Sequence, residues 1–103
     1  MAKYVYLYTG GGMAQTPEEQ EQVMQAWGAW FGELGAAVID GGNPFGGSAS
    51  VSADGAVSPG GRSAIGGYTL INADSLEDAT TKAKGCPQLS AGGAVEVYEA
   101  LDM

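Results

Sequence analysis

An alternation of aromatic and aliphatic residues comes first in the chain. Lys3 to Thr9 reads KYVYLYT, a period of two that predicts a strand with Tyr4, Tyr6 and Tyr8 on one face and Val5 and Leu7 on the other. The period then changes. Val23, Met24, Trp27, Phe31 and Leu34 recur at three- and four-residue spacing, which predicts a helix from Pro17 to Leu34 with one apolar stripe and Trp30 at its edge. Thr16 can cap that helix, Pro17 suits its first position, and Glu19 falls where a capping box needs it. Gly35 stops it as a left-handed cap. Gly28 and Gly32 interrupt an otherwise good helix and suggest that a sheet or loop comes close there.

Ala36 to Asp40 predicts a short strand, with Ile39 facing opposite to Val38 and Asp40, and Gly41 to Phe45 a loop. Ser48 to Ala53 and Ala56 to Ser58 flank Asp54-Gly55, the pair that signals a hairpin with a two-residue turn. In Gly66 to Asn72, Tyr68, Leu70 and Asn72 point one way and Thr69 and Ile71 the other. A helix follows directly: Asp74 or Ser75 can cap it, Glu77 or Asp78 lies three residues later, and Leu76, Ala79 and Ala83 fall on one side. Lys82 and Lys84 suit the negative end of its dipole, and Gly85, as a left-handed cap, with Cys86-Pro87 ends it. Gln88 to Gly93 reads as loop. Ala94 to Leu101 reads as the last strand, Val95 and Val97 facing opposite to Glu96 and Tyr98.

The order strand, helix, strand, hairpin, strand, helix, strand over residues 1–103 predicts one α+β domain. Its expected form is a ferredoxin-like antiparallel sheet with two helices on one face plus a small β-hairpin. Sorting the faces puts Val5, Leu7, Ile39, Thr69, Ile71, Val95 and Val97 under the helices. Tyr4, Tyr6, Tyr8, Val38, Asp40, Tyr68, Leu70, Glu96 and Tyr98 are left on the other face. A face so aromatic is expected to be covered by a second copy of the chain, giving a homodimer.

The balance of twelve acids against four bases, a net charge of −8, repels phosphate backbones and anionic lipid and so argues against nucleic-acid and membrane-surface partners. The chain has no histidine, the commonest general base near neutral pH and the commonest transition-metal ligand, so neither a metal nor another cofactor is expected. One cysteine, Cys86, excludes an internal disulfide and reads as a plain buried thiol. Gly10-Gly11-Gly12 lies between strand and helix but matches no phosphate-loop pattern, and acidic residues follow it. The start MAKYVYLY carries neither an export signal nor a membrane span, which makes a cytoplasmic location the expectation.

Asp40 is the candidate catalytic group: it ends a strand, and Gly41 and Gly42 after it let a ligand approach backbone amides. The plainer reading is that Asp40 accepts hydrogen bonds within its own turn. Tyr6, Tyr8, Tyr68 and Tyr98 could orient a small polar ligand or equally form the dimer core, and Arg62, the one arginine, could pair with a carboxylate ligand or merely with a surface acid. The runs GGYTLINADSLEDATTKAKGCP, GGAVEVYEAL and WFGELGAAVIDGG resemble the YCII-related small proteins, including the group named for a DGPF motif. That resemblance covers nearly the whole chain and implies a dimeric α+β barrel with a cleft between sheet and loops. Some members carry a histidine and aspartate proposed as a catalytic pair; Asp40 stands in the aspartate region here without a histidine. Gly60-Gly61-Arg62-Ser63 stands where the DGPF motif would be. Two functions remain open: a homodimeric ligand-binding or structural domain with a cleft near Asp40, and a small lyase or isomerase using Asp40 as general acid or base on a small organic substrate.

Overall fold

The computed structural model describes residues 2–12, 14–61 and 63–102. Strand β1 (Ala2–Gly10) leads to helix α1 (Pro17–Leu34), a 3₁₀ turn (Gly35–Ala37) and strand β2 (Val38–Asp40). The hairpin β3 (Ala49–Val51) and β4 (Val57–Pro59) follows, then β5 (Ile65–Ala73), α2 (Leu76–Ala83), α3 (Pro87–Ser90) and β6 (Gly93–Ala100). The fold is α+β: an antiparallel four-stranded sheet in the order β2-β5-β1-β6, and a separate two-stranded sheet of β3 and β4.

The helix boundaries follow from their caps. Thr16 Oγ1 accepts from the Glu19 amide at 3.1 Å, while Glu19 Oε2 reaches back to the Gln15 amide at 2.8 Å. Ser75 caps α2 in the same way, accepting from the Asp78 amide at 3.0 Å, and Asp78 accepts from the Asp74 amide at 3.1 Å. Gly35 ends α1 at a φ of 54°, its amide donating to Phe31. Gly85 is not a left-handed cap: Lys84 closes α2 in ordinary helical geometry, and a Cβ at Gly85 would meet Trp30 Cδ1 at 3.2 Å. Close packing against an indole, not backbone freedom, is what favours glycine there.

The faces of β1 and β2 are the reverse of the expected ones. Residues directly opposite across antiparallel strands share a face, and the register pairs Tyr4 with Ile71, Tyr6 with both Thr69 and Val97, and Tyr8 with Val95. Thr69, Ile71, Val95 and Val97 do face the helices, so Tyr4, Tyr6 and Tyr8 face them too, and all three are buried. The depth of the core decides this. Helix α2 approaches with only Ala79 and Ala83 and β5 offers Gly67 and Thr69, which leaves room that phenol rings fill and valine would not. Two of the hydroxyls are bonded within the core: Tyr6 donates to the Ala79 carbonyl at 2.5 Å and Tyr8 to Thr69 Oγ1 at 2.7 Å. In β2, Val38 packs on this core, whereas Ile39 is 44% exposed.

Trp30 and Leu34 are the buried residues of α1, with Trp27 and Phe31 packed beside them, so the helix is rotated from its expected stripe. Val23 and Met24 lie outward, Met24 at 73% exposure. Trp30 stacks on Tyr6 at a centroid distance of 5.8 Å and donates its indole N–H to Lys82 of α2 at 3.1 Å. Gly28 and Gly32 face open space, so no sheet or loop approaches them. Leu76, expected on the packed side of α2, is 51% exposed. Residues 88–90, expected as loop, form α3 together with Pro87, which is expected to end α2 and instead takes the first position of this helix.

The hairpin turn has three residues. Val51 pairs with Val57, the Ser52 amide donates to Ala56, and the Gly55 amide closes a turn onto Ser52. Gly55 adopts a φ of 89°, and Asp54 accepts from the Ser52 hydroxyl and the Ala56 amide. These side-chain bonds favour a type I turn followed by a left-handed glycine over the two-residue turn. Apart from pairing with each other, neither hairpin strand makes a substantial contact with another element. The chain is accordingly flat, 44 × 40 × 19 Å, with a radius of gyration of 15.1 Å, where about 13 Å is typical of a compact domain of this length.

The face turned away from the helices carries Val5, Leu7, Tyr68, Leu70, Glu96 and Tyr98, by the same register. No helix packs on it.

Candidate functional site

A cavity of about 470 Å³ opens where β1 ends and β5 begins, between α1 and the turn after β2. Local sequence builds each side of it. Alternation in β1 turns Tyr8 inward, and the helical spacing of Trp27 and Phe31 brings their rings over it. Tyr8 meets Trp27 edge-on at 5.1 Å, and Trp27 lies 6.0 Å from Phe31. The fourth side is the segment Gly41 to Pro44. It runs along the edge of β5, where Phe45 donates to the Gly66 carbonyl at 2.8 Å and Pro44 bridges to Gly67.

Glycine is obligatory at one point of that segment. Gly42 has a φ of 76°, and a Cβ there would lie 1.6 Å from the Tyr68 carbonyl oxygen. Gly67 is crowded too, though far less severely, its Cβ position lying 3.0 Å from the Asn43 carbonyl oxygen. Asp40 fixes the turn by accepting the Gly42 amide on Oδ1 at 2.9 Å.

A directed hydrogen-bond chain forms the cavity floor. The Gly41 carbonyl can only accept, so the single proton of the Thr69 hydroxyl goes to it, at 2.9 Å. Thr69 must then accept from Tyr8, at 2.7 Å. Burial pushes the Tyr8 phenol well above the ordinary value of 10.0, and the bond to Thr69 offsets this in part. Tyr8 is therefore a neutral hydrogen-bonding group near neutral pH and not a base. Gln88, reaching over from α3, gives both amide protons away, to Thr9 at 3.0 Å and Gly10 at 2.9 Å.

Of the residues singled out from the sequence, Tyr8, Gly41, Gly42 and Tyr68 line this cavity. Tyr6 does not; it is fully buried beneath Trp30 with its hydroxyl on α2. Asp40 lies just outside the lining, exposed, with Oδ2 at 3.5 Å from the Tyr68 hydroxyl. Arg62 lies outside the described residues. Trp27, Phe31, Thr69 and Gln88 complete the site without having been singled out as ligand residues. The aromatic pair reads as core, Thr69 has no distinguishing pattern, and Gln88 sits in a stretch that reads as loop.

A second, larger groove of about 700 Å³ runs between α1 and α3, with Glu19, Glu33 and Trp30 among its lining residues. Trp27 and Gln88 border both hollows. Cys86 is buried beside it, its thiol raised by burial from 9.0 to about 11, which makes it a poor nucleophile. Among the described residues no three histidine, cysteine, aspartate or glutamate side chains gather as an ion site, and no helix is long and apolar enough to cross a membrane. Compared with known protein families, curated proteins and solved structures, the chain matches none.

Proposed function

We propose that the chain is a small homodimeric domain that binds a small organic molecule, a ferredoxin-like fold of the YCII-related kind with its ligand in the Tyr8 cavity. The observation that carries this reading is the cavity itself: about 470 Å³, aromatic on three sides, with a floor of directed hydrogen bonds from Tyr8 to Thr69 to Gly41. Its size and its few convergent polar groups suit a small-molecule site. The test is a thermal-shift screen of a metabolite library against wild type and Tyr8→Phe. The expected result is a hit that stabilises wild type and is weakened by the substitution; a library without a stabilising compound refutes ligand binding.

The second copy is proposed to cover the face of Val5, Leu7, Leu70 and Tyr98, not the tyrosine face. Three strands of eight or nine residues and the three-residue β2, spaced about 4.8 Å apart, present roughly 450 Å². A standard interface buries about 800 Å² per partner. The projecting hairpin, with Val51 and Val57 each 70% exposed, can supply the remainder. Sedimentation at about 10 µM should give a dimer for wild type and a folded monomer for Leu70→Lys; a monomeric wild type refutes the assembly. The alternative, a lyase or isomerase using Asp40, draws less support, because Asp40 is exposed, occupied by the Gly42 amide and outside the cavity lining.

A further inference from the structure

The cavity's own chemistry narrows what it can hold. Trp27, Phe31 and Tyr8 present ring faces and edges, which favour another flat π-system over a flexible chain. Among the described residues no lysine, arginine, aspartate or glutamate lines it, and the chain as a whole carries a net charge of −8. An anionic ligand would lose its hydration without gaining a cation from the described lining, inside a field of its own sign. Hydrogen-bond direction adds a second restriction. The proton of Thr69 is committed to Gly41, that of Tyr8 to Thr69, and both amide protons of Gln88 to Thr9 and Gly10. What these groups retain is lone pairs, on Tyr8 Oη and Gln88 Oε1. Side-chain donors remain on Trp27 and on Asn43, which is exposed. The floor accepts.

We propose that the cavity selects a flat aromatic molecule bearing an N–H or O–H donor and no negative charge, an inference that rests on the ligand-binding reading above. The donor meets the Tyr8 oxygen while the ring lies against Trp27 and Phe31. A ligand offering only acceptors finds no donor on the Tyr8 floor, and a carboxylate is disfavoured by the negative field of the chain.

Three fluorinated probes separate these requirements on the full chain by ¹⁹F NMR titration: 5-fluoroindole, 5-fluoro-1-methylindole and 5-fluoroindole-3-acetate. Saturable binding of 5-fluoroindole is expected, with methylation of its nitrogen weakening it by about threefold to tenfold, the worth of one hydrogen bond. The acetate should show no binding at about 1 mM, well above where the parent indole binds. Equal affinity for the methylated probe, or tighter binding of the acetate, overturns the proposal. So does failure of all three probes, and a hit in the library screen with that failure would leave ligand binding standing while removing this class of ligand. Tyr8→Phe should narrow the difference between the first two probes, and Trp27→Leu should weaken both. Unchanged affinity in both folded variants places the ligand elsewhere and overturns the assignment.

Discussion

Replacing Thr69 by valine, alone and together with Tyr8→Phe, tests whether the cavity floor is one connected network. Thr69 is fully buried and holds both ends of the chain of hydroxyls. Tyr8→Phe removes one donor and leaves Thr69 bonded to Gly41, so its cost is that of a single net hydrogen bond, about 1 kcal/mol. Thr69→Val takes the acceptor from a hydroxyl on a residue only 8% exposed and the donor from the Gly41 carbonyl. An orphaned buried hydroxyl costs roughly 1–3 kcal/mol, and the carbonyl, on an exposed residue, can turn to water. The single variant should therefore lose about 2–3 kcal/mol. In the Thr69→Val background the Tyr8 hydroxyl has no protein partner, so deleting it should cost little or restore stability. The coupling between the two sites is then about 1 kcal/mol or more, within the range for groups sharing one network. Urea unfolding followed by Trp27 and Trp30 fluorescence measures all four proteins at one fixed concentration, since any self-association adds to apparent stability. With a slope of about 1–2 kcal/mol per molar urea, each kcal/mol moves the midpoint by roughly 0.5–1 M. If Tyr8→Phe costs the same in both backgrounds, the hydroxyls act independently and the directed floor is wrong.

Gly42→Ala should be the most damaging single change in the site segment, at more than about 3 kcal/mol, because its Cβ would lie 1.6 Å from the Tyr68 carbonyl in a left-handed backbone; amide exchange at Phe45 should rise, and native-like protection there would contradict the packing. Gly28→Ala and Gly32→Ala face open space within α1 and should each stabilise by about 0.5–1 kcal/mol, read as a higher urea midpoint; loss of stability would mean that something covers that face. Cys86 is raised to about 11 from 9.0 by burial, so the folded state resists its ionisation. The contribution is fully present below pH 9 and is lost as pH rises towards 11, and Cys86→Ala should flatten the fall in unfolding free energy across that window. An identical slope in the variant assigns the alkaline sensitivity to other groups.

Local signals made the elements legible and left their orientation open. Thr16-Pro17 and Ser75 with Asp78 mark helix starts that the structure keeps, because capping satisfies amides within a few residues and needs no tertiary information. The direction in which β1 faces is another matter. Its two faces, Tyr4-Tyr6-Tyr8 and Val5-Leu7, are both apolar, so alternation carries no sign. The sign comes from Ala79, Ala83, Gly67 and Thr69, small residues that are distant in sequence and jointly set the depth of the core. The same limit hid the site. Asp40 drew attention as a carboxylate beside glycines, and the structure uses it to hold the Gly42 turn. Thr69 and Gln88 gain their roles only when β5 and α3 are brought against the end of β1.

Moving the phenols inward strengthens one part of the functional reading while weakening another. A core that takes Tyr6 and Tyr8 as its filling must give every hydroxyl a partner, and Tyr6 finds one in a helix carbonyl. Tyr8 instead finds a side chain, Thr69, which has a second bond to make. That difference sets the end of β1 apart as the proposed site, because there a relay of hydroxyls reaches a glycine turn at the surface. The exchange leaves a milder open face, in which Val5, Leu7, Leu70 and the half-exposed Tyr98 replace a row of tyrosines. The proposed dimer would then need the hairpin arm as well as this face. Shortening the chain from Ala49 to Pro59 to a tight turn should then convert a wild-type dimer to a monomer without unfolding the four-stranded sheet. A shortened chain that still sediments as a dimer would show that the sheet face suffices.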